Sequence, residues 1–149
     1  MYRRRDHPLH FVFSQQILKT WKTLKTPSKS SKQALQQHFK GKRDRFLSGI
    51  ADCGIKIDFQ PEGTFYVWAN LEDLPSPINQ CLVFFEELLK EKCICVPGIF
   101  FDINPGKRRH IQGQSKFSSY VRFSYGPETK NLELGIKAIQ KVVAKFKKN

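Results

Sequence analysis

Tyr120-Val-Arg122-Phe-Ser-Tyr125-Gly126 is the stretch around which the rest of the chain is organised. Tyr120, Val121, Phe123 and Tyr125 favour an extended backbone, and Gly126-Pro127 closes the run. Successive side chains of a strand point to opposite faces. Val121 and Phe123 therefore share a core face, and Arg122 stands between them on the other. A guanidinium held on a rigid strand offers a planar fork of donors that matches a carboxylate or a phosphate. A solvent-exposed arginine on a half-buried sheet gives the same pattern, so the surroundings must decide.

Downstream, Leu132, Ile136, Ile139, Val143 and Phe146 recur at helical spacing from about Thr129. Lys145, Lys147 and Lys148 fall at the end where the helix dipole favours cations. Upstream lies a long polar loop, about Phe100 to Phe117, carrying Asn104-Pro-Gly106 and Lys107-Arg-Arg-His110. Loops of that length in a compact domain are usually functional or disordered. Lys107-Arg108-Arg109 could steer acidic substrates, or simply be solvated. Before the loop, Cys93 to Val96 reads as a short buried strand stopped by Pro97-Gly98. Ile78, Leu82, Phe85 and Leu89 define one helix face, widened by Cys81, Phe84 and Leu88.

Further back, Thr64 to Leu71 is aromatic and β-branched with both faces apolar, the pattern of a central strand with Tyr66 and Trp68 in the core. Ile55 to Phe59 alternates, and pairs with it as a hairpin across Pro61-Glu62-Gly63. Gly54 closes a helix running from about Lys32 to Cys53, with Ser31 as its cap. That helix buries Leu35, Phe39, Phe46 and Ile50, with Leu47 beside them. The expected fold is α+β: a small mixed or antiparallel sheet of about four strands, with helices packed mainly on one face.

Composition bounds the classes. The 149 residues make one domain with an arm, residues 1–32, followed by the domain itself, residues 33–149. The arm holds eight Lys or Arg against the single acidic Asp6, so it carries +7 of the net +13. Such an arm binds nucleic acid or an anionic membrane, or is a plain tail. No stacking-aromatic and basic stripe accompanies it, so nucleic acid is not the expected partner. No apolar run is long enough for a membrane span. Cys53, Cys81, Cys93 and Cys95 form no C-x-x-C pair and no zinc spacing, which favours reduced core thiols and no metal. The expected compartment is cytoplasmic, although the Arg-rich start also permits a mitochondrial presequence.

Four landmarks come in order from about Ala34: Lys42-Arg-Asp44, Pro61-Glu-Gly-Thr-Phe-Tyr66-Val-Trp68, Val96-Pro-Gly98 followed by Phe100, and the Arg122 stretch. In this order and spacing the chain resembles the small, C-terminal domain of class I/II, fold-type I aminotransferases that use pyridoxal 5'-phosphate. The resemblance implies that Arg122 binds the α-carboxylate of an amino-acid substrate. It implies Pro97, Gly98 and Phe100 as a segment at the active-site mouth, although a tight turn closing a strand fits them equally. It further implies amino acid and 2-oxo acid substrates, a homodimer, and pyridoxal phosphate as cofactor. The cofactor's lysine and phosphate cup belong to the family's large domain and are expected outside this chain. Ser28 to Lys32 only superficially resembles a Ser-x-x-Lys lysine site. Two other readings stay open: a related elimination or synthase reaction, and a non-catalytic module that binds a protein partner.

Overall fold

The computed structural model describes residues 29–103 and 115–147. The basic arm up to residue 28, the Lys107-to-His110 cluster and Lys148 lie outside the described residues. The chain divides into two compact units, Met1–Leu35 and Gln36–Asn149. Of the first, the described residues form the opening of helix α1, Lys29–Ala51. Ser31 lies inside that helix rather than capping it. Leu35 is exposed, so the expected stripe starts at the half-buried Phe39 and is fully buried at Phe46 and Ile50. The other end is as expected: Gly54 takes φ +87°, and its N–H donates to the carbonyl of Ala51 at 2.9 Å.

Among the described residues the sheet has three strands where about four were expected: β1 Tyr66–Asn70, β2 Val96–Pro97 and β3 Tyr120–Ser124, all antiparallel in the order β1-β3-β2. Ile55 to Phe59 contributes one bridge only, Lys56 to Asn70, with hydrogen bonds of 3.0 and 2.8 Å. Phe59 is 88% exposed. Ile55 is buried in the core and Ile57 packs against it, but burial fades along the segment and alternation alone does not extend the pairing beyond one bridge. The central strand is β3, and β1 is an edge strand. β2 is shorter and later than expected and includes Pro97, which an edge tolerates.

Helix α2 is Cys81–Lys90 and helix α3 is Thr129–Lys147. In α2 the buried face is Cys81, Phe84 and Leu88, while Leu82 and Leu89 are exposed. The helix is apolar on more than one side, and the buried face is rotated from the one the sequence suggested. In α3 the expected stripe is buried at Leu132, Ile136, Ile139 and Val143, with Val142 added. The core lies between the helices and the Val67, Ala69, Val121 and Phe123 face of the sheet. Phe46 from α1 and Phe84 from α2 both meet Phe123 edge-on, at 5.5 and 6.4 Å between centroids. Glu87 binds Lys90 within α2 and Lys145 of α3 at 2.7 Å, and Glu91 binds Lys141 of α3 at 2.6 Å. The four cysteines are free thiols, three of them buried. Among the described residues no helix is long and apolar enough to cross a membrane, and no group of His, Cys, Asp or Glu is placed to hold a metal ion.

Candidate functional site

Arg122 sits at the middle of the sheet. It is paired with Trp68 on β1 and with Val96 on β2. Its neighbours Val121 and Phe123 are buried on the core face, so its side chain leaves on the opposite face, as strand alternation requires. One aromatic ring approaches from each flanking strand. The guanidinium carbon lies 4.3 Å from the ring centre of Tyr66, on β1. It lies 4.6 Å from that of Phe101, in the 3-10 turn Gly98–Phe101 that follows β2. Trp68 stacks on Tyr120 at 5.7 Å and meets Phe101 and Phe117 edge-on, each at 5.4 Å.

The arginine is thus walled by rings. Each such cation–π contact is worth about 0.5–2 kcal/mol. The Nε of Arg122 is buried and has no hydrogen-bond partner among the described residues. A buried donor left unmade costs about 1–3 kcal/mol, more when it is charged. The fold therefore holds this guanidinium between aromatic walls, with its buried Nε lacking a hydrogen-bond partner among the described residues.

Backbone contacts fix these walls. Pro97 is buried and pairs with Val121. A Cβ on Gly98 would lie 2.5 Å from the carbonyl oxygen of Phe117 and 2.6 Å from that of Tyr120. Only glycine lets the turn sit this close to the start of β3 and bring Phe101 over Arg122. Phe100 points away and is 66% exposed. Two side chains of α1 hold the strand ends. Lys42, itself buried, donates from Nζ to the carbonyl of Gly126 at 2.8 Å, and Arg43 donates from Nη1 to that of Pro61 at 2.9 Å. The Tyr125 hydroxyl donates to the carbonyl of Thr64 at 3.1 Å, where φ is +64°. At the rim, Asn70 Nδ2 donates to the Tyr120 hydroxyl at 3.2 Å, which donates to Asp58 Oδ2 at 3.0 Å. That bond to Asp58, with some burial, raises the Tyr120 phenol above its ordinary pKa.

The structure brings Arg122, Pro97 and Gly98 into one neighbourhood. It moves Tyr66 and Trp68 out of the core and onto the arginine's face, against expectation. Phe101, Phe117 and Tyr120 are wall residues that the sequence reading did not single out. A signal for Tyr66 and Trp68 existed: they share one parity on their strand, while Val67 and Ala69 take the core side.

No protein-family model matches the chain. Among curated proteins it is similar to a probable aspartate aminotransferase of Methanocaldococcus jannaschii, 24% identical over 106 residues, covering 71% of this chain and 24% of that protein. Among solved structures it is similar to an aminotransferase from Mycobacterium tuberculosis, at 26% identity and TM-score 0.55, covering 72% of this chain and 24% of that one. It also shares the fold of an aromatic aminotransferase from Pyrococcus horikoshii, at 21% identity and TM-score 0.61, covering 80% and 29%. These relatives are consistently aminotransferases, and the shared stretch fits the C-terminal small domain of the fold-type I class. The chain spans about a quarter of the length of the relatives it matches.

Pyridoxal phosphate, the cofactor that class implies, has no counterpart site among the described residues. Their one buried lysine, Lys42, is committed to the Gly126 carbonyl.

Proposed function

We propose that residues 33–149 are the small-domain part of a pyridoxal-phosphate-dependent aminotransferase, which moves an amino group between an amino acid and a 2-oxo acid. On this reading Arg122 clamps the substrate α-carboxylate, and Pro97, Gly98 and Phe100 belong to the segment at the mouth of the site. The observation that carries it is the guanidinium on the central strand, ring-walled, with a buried and unpartnered Nε. A fixed fork of this kind orients an amino acid so that its reacting bond faces the catalytic groups. The bound cofactor supplies the electron sink. It would be held, with its lysine, by parts of the parent protein outside these 149 residues, and this chain alone would be inactive. A homodimer of the parent fits the same reading.

Immunoblotting of source cells with an antibody to α3 tests it. A product several times longer than this chain is expected. In that product, Arg122→Gln should lower kcat/KM for the amino acid about 10- to 100-fold, the loss of a charge-assisted hydrogen-bond pair. Unchanged kinetics would refute the role of Arg122. A product only 149 residues long would favour the second reading, a non-catalytic module that binds a protein partner. The observation behind that reading is the quarter-length match to the relatives.

A further inference from the structure

Resting on the carboxylate reading of Arg122, we propose that Phe101 is a movable shutter over that guanidinium, and that a carboxylate binds side-on only after the ring swings away. A carboxylate engages arginine side-on through Nε and one Nη, or end-on through both Nη. Side-on binding needs an oxygen within hydrogen-bond reach of Nε. In this structure Nε is sealed from solvent, so an atom the size of a carboxylate oxygen does not reach it.

Two rings lie against the guanidinium, and their attachments differ. Tyr66 belongs to β1, whose residues 66–70 are all paired with β3. Its backbone does not shift without breaking that ladder. Phe101 ends a four-residue 3-10 turn outside the sheet; the two residues are equally exposed, so the difference between them lies in the backbone that carries each ring. The root of that turn is fixed, since Gly98 is wedged against the carbonyls of Phe117 and Tyr120 and Pro97 is paired with Val121. Motion is therefore confined to the end that carries Phe101. Among the described aromatic rings it meets Trp68, edge to face at 5.4 Å. Swinging out exchanges a cation–π contact for a charge-assisted hydrogen bond to Nε, and satisfies the buried donor. Phe101 thereby acts as a positioning residue: it holds the fork flat and dry until the anion arrives.

The test is NMR on the full 149-residue chain, titrated with sodium propionate against sodium chloride at equal ionic strength. The expected result is a shift of the Arg122 Nε–H resonance, with loss of the Phe101–Trp68 ring NOE at the same midpoint. Phe101→Ala and the bulkier Phe101→Leu should each tighten propionate binding about two- to fivefold, the size of the displaced cation–π contact. A Nε–H shift with the ring NOE intact, or weaker binding in both variants, overturns the shutter and leaves the carboxylate reading standing. No shift at any Arg122 side-chain resonance overturns both.

Discussion

The placing of Arg122 depends on residues outside its own ring walls. Lys42 is the clearest. Its ammonium is buried, lies 5.5 Å from the ring centre of Phe39 and donates to the carbonyl of Gly126, just past the end of β3. Lys42→Met keeps the stem packed but leaves that carbonyl without its charged donor. We expect a loss of about 1–3 kcal/mol in urea unfolding, with Lys42→Arg losing less. The sequence made Lys42 visible only as part of a landmark, since a lysine on a polar helix run normally reads as solvated. Arg122 itself was legible, because strand alternation is a strict rule with period two. Its ring walls were not, because Tyr66 and Trp68 sit in a run that is apolar on both faces, and hydropathy does not tell a core from an aromatic-lined site.

At the level of elements, pattern reading succeeded where one face dominates and failed where two compete. Helix α3 carries a single stripe, and Leu132, Ile136, Ile139 and Val143 are buried as its spacing requires. Helix α2 offers two apolar faces, and packing against Phe123 selected Cys81, Phe84 and Leu88. The Ile55 to Phe59 segment has faultless alternation, yet only Ile55 is fully buried, Ile57 is half-buried and Phe59 is exposed, and one bridge to Asn70 is all the pairing it makes. The turn after β2 is the element under the tightest constraint. Gly98→Ala would drive a methyl into two backbone carbonyls at 2.5 and 2.6 Å, neither of which can rotate away. We expect about 1–3 kcal/mol of destabilisation by thermal unfolding, with altered Phe101 resonances. Phe100→Ala, at an exposed position, should shift stability by less than about 0.5 kcal/mol.

For the molecule as a whole, the pH dependence of stability has two distinct limbs. Hydrogen bonds from Lys145 and Lys90 hold the Glu87 carboxyl below its ordinary 4.5. The unfolded chain therefore takes up this proton first. The contribution of Glu87 is complete above pH 4.5 and fades as the pH falls below it. Burial pushes the Cys95 thiol from 9.0 up to about 12. Here the unfolded chain loses its proton first, so stability is complete below pH 9.0 and falls as the pH rises toward 12. The raised phenols of Tyr120 and Tyr125 add in the same direction. Urea midpoints measured across this range should form a plateau near neutrality with a shoulder on each side. Glu87→Gln should flatten the acid shoulder, and because the Glu87 carboxylate also raises the Lys90 ammonium it should trim the alkaline one as well, leaving the part due to Cys95.

The doubly paired position of Arg122 also dictates which length changes the gene can survive. Trp68 and Val96 lock β3 from both sides, so removing one codon within β3 would turn every following side chain over. The charge would be thrust among Val67 and Ala69, and a phenylalanine exposed in its place. Removing two codons preserves the parity and merely slides the ladder. A deletion scan across residues 118–126 should therefore show an odd–even rhythm in soluble yield.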